Sequence, residues 1–423
     1  MDKDRIVIIG AGLQGLTTAN ALLDRGEEVL LLERSSGVGE GASFANAGML
    51  TPSQANPWNS FSDIIRIISG IGRKGSPMSL KLNQLPSLFS WGLRFLANST
   101  KSRYLSSTNN VCKLAQHSLE LTKAIREQHN LNYDHSSVGT MKIFREEGNF
   151  DKANKESLRL SEIGLPFKSL NIKEVLSTEP LLSDISEKIV GGILYPKDEA
   201  GDAYKFCKEM KELVRNKGGR IHLNTEIKKL LFKKNKVNSV ITDRVEIKAA
   251  RVILTTGPWA GELLKNTKLR PPIRPVKGYS LTLDSSSLKD KPRMPIVDES
   301  IHTVITPLGY SLRIAGTAEF AGFSEEIHQK RIDYLNSTLE SIYPSIYSEL
   351  AVDEGSLWYG FRPTSSDGMP LIGGTKIDGL YLNVGHGHLG WTLAMGSADL
   401  LADIVLKKEP EIDKTPFLPS RFF

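Results

Sequence analysis

The sequence has little cysteine, and this scarcity excludes several classes of protein. Its 423 residues include two cysteines, Cys112 and Cys207, which lie far apart and form no CxxC pair. A disulfide framework is therefore excluded, the sequence gives little support for redox-dithiol chemistry, and we predict no metal site. No apolar run reaches the length of a membrane-spanning helix.

Strong charge is also missing. The formal net charge is +6, which is modest for this length, and no long basic run occurs, so we predict no binding to nucleic acid. A mildly positive chain suits an anionic substrate or an anionic membrane surface. Because Met1 is followed within a few residues by the first strand, we expect no signal peptide. We predict a cytoplasmic protein, either soluble or held peripherally on the inner face of the cell membrane.

The most informative motif lies at the N-terminus, between two short apolar runs that read as buried parallel strands. After the first run, Gly10 allows a sharp turn, Gly12 lets the backbone approach a pyrophosphate, and Gly15 lets a helix pack against the strand. Glu33 ends the second run, where a carboxylate binds ribose hydroxyls and disfavours the 2′-phosphate of NADP. The pattern predicts a site for an adenine dinucleotide. The alternative is an ordinary tight turn followed by a solvated glutamate.

The chain is long enough for two domains, and the dinucleotide pattern does not continue directly into a third parallel strand. Later segments show the same pattern of helices and buried strands. They are a helical periodicity over 203–217, a strand meander over 227–248 and buried strands at 251–257 and 379–382. We therefore predict an α/β fold with a discontinuous Rossmann-like domain and a second α+β domain on a mixed or antiparallel sheet. The first domain takes residues 1–52, 196–270 and 355–423, and the second takes 53–195 and 271–354. A crevice between them is the expected ligand site.

Four further segments join the glycine motif in a family resemblance. They are Ser43–Leu50, Arg274–Ser280, Gly360–Gly368 and Gly385–Trp391. On these segments the chain resembles the FAD-dependent amino-acid oxidoreductases of the D-amino acid oxidase superfamily, most closely the bacterial D-amino acid dehydrogenases, over nearly its whole length. The resemblance implies oxidative deamination of a small amino acid to a 2-oxo acid and ammonia, by hydride transfer from Cα to flavin N5. The electrons would then pass to a quinone or another acceptor.

The resemblance also implies which residues hold FAD, mainly through small side chains and backbone amides. The predicted cofactor-binding residues are Gly10, Ala11, Gly12, Leu13, Gln14, Gly15, Glu33, Arg34, Ser43, Asn46, Ala47, Gly48, Met49, Ile227, Thr256, Gly257, Gly385, His386, Gly387, His388, Leu389 and Gly390. For the two histidines we favour structural roles over catalysis or metal binding.

The resemblance assigns the substrate carboxylate to Arg362, whose planar donors match a carboxylate in a two-point contact. The alternative is a surface ion-pair partner, but the apolar residues before Arg362 favour the binding role. Tyr279 is predicted to donate a second hydrogen bond to the carboxylate or to gate the pocket. An ordinary strand tyrosine with a satisfied hydroxyl explains Tyr279 nearly as well.

Two short apolar stretches with basic neighbours, Phe61–Arg73 and Leu85–Leu96, suggest a peripheral membrane contact within 61–101. A pair of helices packed over the second domain explains them equally well. The function also has alternatives. One is a glycine-, sarcosine-, proline- or hydroxyproline-type oxidase that uses dioxygen. Another, from a different class, is a non-catalytic flavin-binding redox sensor.

Overall fold

The fold is taken from a computed structural model, which describes residues 5–59 and 78–423. The helices of this part of the chain are α1 (Leu13–Leu23), α2 (Leu85–Ala97), α3 (Lys101–His129), α4 (Glu147–Ser161), α5 (Ile172–Thr178), α6 (Ala203–Asn216), α7 (Ala260–Leu263), α8 (Gln329–Ile342), α9 (Pro344–Glu349) and α10 (Ala394–Val405). The first ten strands are β1 (Ile6–Ile9), β2 (Val29–Leu32), β3 (Met49–Leu50), β4 (Met78–Leu80), β5 (Thr140–Phe144), β6 (Lys168–Leu170), β7 (Gly191–Tyr195), β8 (Glu199–Ala200), β9 (Arg220–His222) and β10 (Ile227–Lys233). The others are β11 (Lys236–Thr242), β12 (Glu246–Lys248), β13 (Arg251–Leu254), β14 (Ile273–Asp284), β15 (Ile296–Asp298), β16 (Thr303–Leu308), β17 (Ser311–Phe320), β18 (Ser356–Ser365), β19 (Leu371–Gly374) and β20 (Leu380–Val384).

A six-stranded sheet in the order β19-β20-β13-β1-β2-β9 carries the N-terminal motif. Its strands are parallel except β19, which is antiparallel to β20. β1 lies inside the sheet and is buried on both faces, which explains its unbroken β-branched run. Ile6 and Ile8 pack against α1, α6 and α10, whereas Val7 and Ile9 pack towards the antiparallel meander β10-β11-β12.

A second, nine-stranded sheet runs in the order β18-β14-β17-β16-β15-β5-β7-β6, with β4 added beside β17. It is mostly antiparallel, but β15 pairs with β5, and β4 with β17, in parallel. Leu335 and Leu339 of α8 pack in the core on one face of this sheet together with Ile305 and Ile314. The predicted fold class, an α/β chain with a mixed second sheet, is confirmed.

The segment between β20 and α10 contains a short 3₁₀ turn. This turn spans Gly387–Leu389, and α10 begins at Ala394. The long helix α3 was not predicted, because its polar residues lie around most of its surface and leave no clear apolar stripe. The domain boundaries stay a prediction.

One of the two stretches considered for membrane contact, Phe61–Arg73, lies outside the described residues. The other, Leu85–Leu96, forms α2. Trp91 and Phe95 pack α2 against the nine-stranded sheet, and the opposite side of the helix is exposed. Within residues 5–59 and 78–423, no helix combines the length and apolar character needed to cross a bilayer.

The contact between α3 and α10 generates a prediction about pH and stability. His117 of α3 lies 2.9 Å from the Asp399 carboxylate of α10, and this hydrogen bond raises the pKa of His117 above its usual 6.5. A raised pKa stabilises the folded state fully below pH 6.5, and the stabilisation is lost as pH rises through the folded-state pKa. We expect His117→Gln to lower the thermal midpoint of the holoenzyme at pH 6 and to have a smaller effect at pH 9. Circular dichroism melts measure this difference. His129→Gln, near the end of the same helix, is the control, and equal losses at both pH values would contradict the assignment.

Candidate functional site

A cavity of about 1340 Å³ is lined by residues of both large sheets. Pockets for drug-sized ligands occupy roughly 300–1,000 Å³, so this cavity has room for a dinucleotide together with a small substrate. It runs past the glycine motif, the loop after β2, the turn after β20 and the strands β14, β17 and β18.

The glycine motif forms one wall of the cavity. Gly10 adopts φ +105°, a conformation that favours glycine, and it joins β1 to the turn that begins α1. A Cβ on Gly15 would overlap the Gly10 carbonyl oxygen, so only glycine allows α1 to cross β1 this closely. Gly10, Gly12, Leu13 and Gln14 line the cavity, whereas Ala11 and Gly15 lie behind the lining.

Glu33 and Arg34, which are predicted to bind the cofactor, line the cavity. The Glu33 carboxylate accepts hydrogen bonds from the amides of Ala11 (2.6 Å) and Ser35 (2.9 Å), which fixes it beside the glycine turn. The Arg34 guanidinium lies 4.3 Å from the centre of the Trp259 ring. Ile227, which is also predicted to bind the cofactor, lines the cavity too.

The loop over residues 43–49 is tied to the nine-stranded sheet. Ser280 donates to the Ala45 carbonyl (2.6 Å), Thr306 to the Ala47 carbonyl (2.8 Å) and Arg313 to the Asn46 carbonyl (3.3 Å). Asn46 in turn accepts a hydrogen bond from the amide of Gly48, a residue at φ +69°. This loop is therefore held in place, and Ser43, Asn46, Ala47, Gly48 and Met49 all line the cavity.

The turn after β20 faces this loop. Gln14 donates from Nε2 to the Gly390 carbonyl (2.7 Å), which joins the start of α1 to the turn. His386 and His388 are bonded to Ser397 and to the Gln54 carbonyl, and burial lowers their pKa values to about 3 and about 4. Both imidazoles are therefore neutral at physiological pH. Of the predicted residues in this turn, His386, Gly387, His388 and Gly390 line the cavity, and Gly385 and Leu389 do not.

The cavity fits FAD by its volume and also by its unsatisfied polar atoms. Buried side-chain atoms without a partner in the described structure include Gln14 Oε1, Thr256 Oγ1 and Asn383 Oδ1, and all three residues line the cavity. A buried polar atom without a partner costs about 1–3 kcal/mol, so such a cluster indicates a bound polar ligand. Gly257, predicted to lie beside the pyrophosphate, lines the same wall.

Arg362 is the cation at the other end of the cavity. Its Nη1 donates to the Thr317 carbonyl (2.8 Å), and its guanidinium lies 5.5 Å from the centre of the Trp58 ring. Burial lowers the pKa of Arg362 from 12.5 to about 10, so the group stays charged at neutral pH. No carboxylate within residues 5–59 and 78–423 forms an ion pair with it. A half-buried guanidinium that lines a cavity and has no carboxylate partner is suited to bind an anion.

Tyr279 lines the same end of the cavity but already has a partner. Its hydroxyl donates to the Glu319 carboxylate (2.8 Å), and burial together with this bond raises its pKa well above 10. The hydroxyl therefore stays protonated and engaged. This is the arrangement expected of a strand tyrosine with a satisfied hydroxyl, so its predicted contact with the substrate requires the Glu319 bond to be shared or exchanged.

No motif in the sequence predicts that Trp58 lies at the site. Its ring stacks on His388, with centroids 4.9 Å apart and planes at 11°, and the guanidinium of Arg362 also lies near it. Gln54 and Asn56, from the same segment, line the cavity with unpaired buried side-chain atoms. A single short segment thus supplies a wall of the site, and no local motif in it signals this role.

Comparisons with known proteins agree with this geometry. The chain is 34% identical over 409 residues to a D-amino acid dehydrogenase of Vibrio cholerae serotype O1, covering 97% of this chain and 96% of the relative. It is 33% identical over 418 residues to D-amino acid dehydrogenase 1 of Mesorhizobium japonicum, covering 99% of each.

Solved structures share the fold. The L-proline dehydrogenase from P. horikoshii superposes with a TM-score of 0.78 at 19% identity, covering 100% of this chain and 98% of that one. The glycine oxidase from Bacillus cereus gives a TM-score of 0.73 at 25% identity, covering 96% of each chain. Residues 5–404 match the sequence profile of the FAD dependent oxidoreductase family, DAO. The chain therefore belongs to the FAD dependent oxidoreductase family, and it is an enzyme whose cofactor is FAD.

Proposed function

We propose that this enzyme is a D-amino acid dehydrogenase that oxidises a D-amino acid to a 2-oxo acid and ammonia and passes the electrons to a quinone. The names of relatives that match nearly the whole chain support the substrate class. In this proposal the segments 1–52, 196–270 and 355–423 hold FAD, and 53–195 and 271–354 supply most of the substrate site.

The observation that carries the proposal is the half-buried guanidinium of Arg362, which lines the cavity. An α-amino acid brings a carboxylate at every physiological pH, and this carboxylate offsets the charge that no described acidic side chain balances. Arginine suits the role because its planar donors bind two carboxylate oxygens at once. Nη1 of Arg362 already donates to the Thr317 carbonyl, and this hydrogen bond fixes the plane of the guanidinium.

The proposed reaction depends on positioning. FAD, when bound, accepts the hydride that leaves the substrate Cα. The chain contributes Arg362, which anchors the carboxylate, and the Trp58 side chain, which forms one wall. Hydrogen bonds to the 43–49 loop hold the small side chains of the opposite wall in place. Holding both reactants in one orientation is the largest contribution that such a site makes.

Removing the anchor tests its role. We expect Arg362→Ala to raise KM and to lower kcat/KM about 30- to 1,000-fold, since a charge-assisted contact with substrate is lost. FAD content, read from the flavin absorbance of the purified enzyme, stays unchanged. Arg274→Ala is the matched control, because Arg274 lies on the neighbouring strand β14 and also donates to a backbone carbonyl, that of Ser87, outside the cavity. Unchanged kinetics in Arg362→Ala would remove this residue from the site.

The substrate and acceptor are tested on the oxidised holoenzyme without oxygen. We expect D-amino acids, and not their L enantiomers, to bleach the flavin absorbance, because the relatives that match nearly the whole chain are D-amino acid dehydrogenases. A water-soluble quinone should restore the colour faster than dioxygen does. Bleaching by glycine or sarcosine with rapid peroxide formation would favour an oxidase instead. No bleaching by any amino acid would favour the redox sensor.

We also propose that α2 touches an anionic membrane, where a quinone acceptor dissolves. Leu85, Phe89, Leu93 and Leu96 repeat along one exposed side of the helix, and Phe89 is 69% exposed. Arg94 lies beside them on α2 and is also exposed. An apolar stripe with flanking cations is typical of helices that lie in a membrane interface. Trp91 donates to the Thr364 carbonyl and so joins α2 to the strand that carries Arg362.

The membrane contact is tested by flotation with vesicles of anionic phospholipid. We expect the holoenzyme to float with the vesicles and the double variant Phe89→Glu with Leu93→Glu to stay in solution, because the charges make interfacial burial costly. Leu158→Glu, at a residue 59% exposed on α4, is the matched control and should float like the parent. Equal flotation of all three proteins would contradict the contact. Dye-linked activity should be unchanged in each variant.

A further inference from the structure

The strand β17 departs from regular geometry at Thr317. On one side of this point Lys277 pairs with Glu319, and on the other Tyr279 pairs with Gly316, so two residues of β17 face Gly278 alone. Thr317 has φ +62°. This is the left-handed region, which a β-branched residue adopts only at a cost. Bulges of this kind re-aim groups, and they are frequent beside active sites.

One consequence of the bulge is the orientation of Arg362. The Thr317 carbonyl accepts the 2.8 Å hydrogen bond from Arg362 Nη1. On the adjacent strand, a Cβ on Gly278 would overlap the guanidinium, so the absence of a side chain leaves the space in which that group lies. The bulge therefore supplies the carbonyl that binds the guanidinium, and Gly278 leaves the space that the guanidinium fills.

The other consequence is a hydroxyl without a partner. Thr317 Oγ1 is buried and has no hydrogen-bond partner in residues 5–59 and 78–423, yet Thr317 lines the cavity together with Arg362. Strain and an unsatisfied polar atom at one residue are both unfavourable, and such combinations persist where function requires them. An anion bound to Arg362 would supply an acceptor next to the residue whose carbonyl already contacts that arginine.

We propose that Thr317 is a substrate-binding residue, whose hydroxyl donates to the substrate carboxylate while its carbonyl orients Arg362. This inference rests on the proposed function, in which Arg362 binds that carboxylate. It adds the Thr317 hydroxyl, a neutral hydrogen-bond donor, to the carboxylate contact made by Arg362, and it gives the strained bulge a role. No change of covalent bonding is involved.

The test compares Thr317→Val, which keeps the β-branched shape and removes the hydroxyl, with Thr317→Ser, which keeps the hydroxyl. Propionate, a carboxylate without an amine, is titrated into each oxidised holoenzyme and followed by the shift in flavin absorbance. We expect Thr317→Val to weaken propionate binding about tenfold or more and to raise KM to a similar extent, as the loss of a hydrogen bond to a charged group predicts. Thr317→Ser should stay within about threefold of the parent. Thr338→Val, at a buried threonine of α8 whose hydroxyl bonds within the helix, is the control.

The outcomes separate this inference from the proposed function. If Arg362→Ala binds propionate as the parent does, the proposed function fails and the Thr317 contact fails with it. If Arg362→Ala loses propionate while Thr317→Val binds it normally, only the Thr317 contact fails. Equal weakening in the valine and serine variants overturns the role of the hydroxyl. If Thr317→Val binds propylamine more weakly than the parent does but binds propionate normally, the assignment of the hydroxyl to the carboxylate is overturned.

Discussion

The charge of Arg362 is the constraint on which the rest of the proposed site depends. Arg362 is half-buried and has no carboxylate partner among the described residues, and desolvation lowers its pKa to about 10. The structure holds this charge in place through the β14–β18 ladder, the open space at Gly278 and the Thr317 carbonyl. In the proposed function an anion completes this site, and an amino acid supplies one at physiological pH.

The same sheet also fixes the wall opposite the anchor. Ser280 of β14, Thr306 of β16 and Arg313 of β17 each donate to a backbone carbonyl in the 43–49 loop. A shift of these strands would therefore move both the loop and the anchor for the substrate. Arg313 is itself paired with Asp202 at the start of α6 (3.0 Å), so the helix that packs beneath the six-stranded sheet joins the same network. The same strands thus hold both walls of the cavity in position.

Spacing within the sequence predicts the glycine turn and the position of Glu33, whereas the contacts around Arg362 depend on long-range packing and are hard to predict. The glycine turn and Glu33 depend on neighbours within one βαβ unit, so their spacing carries the information. Trp58 meets His388 and Arg362 only after segments about 300 residues apart have folded together. Thr317 is harder still, because a β-branched residue favours a regular strand and its own propensity argues against the bulge that it occupies. α3 was missed for a third reason, the lack of an apolar stripe.

The protonation states at the substrate end show what kind of catalysis the proposed function requires. Burial keeps His386 and His388 neutral with weakly basic imidazoles, and Tyr279 remains protonated through burial and its bond to Glu319. None of these three side chains is poised near neutral pH, where an efficient acid or base has its pKa. These three side chains are therefore poor proton acceptors for the substrate amine. In the proposed function, Arg362 and the residues around it act through orientation and charge, and the rate depends on how closely they hold Cα against the cofactor.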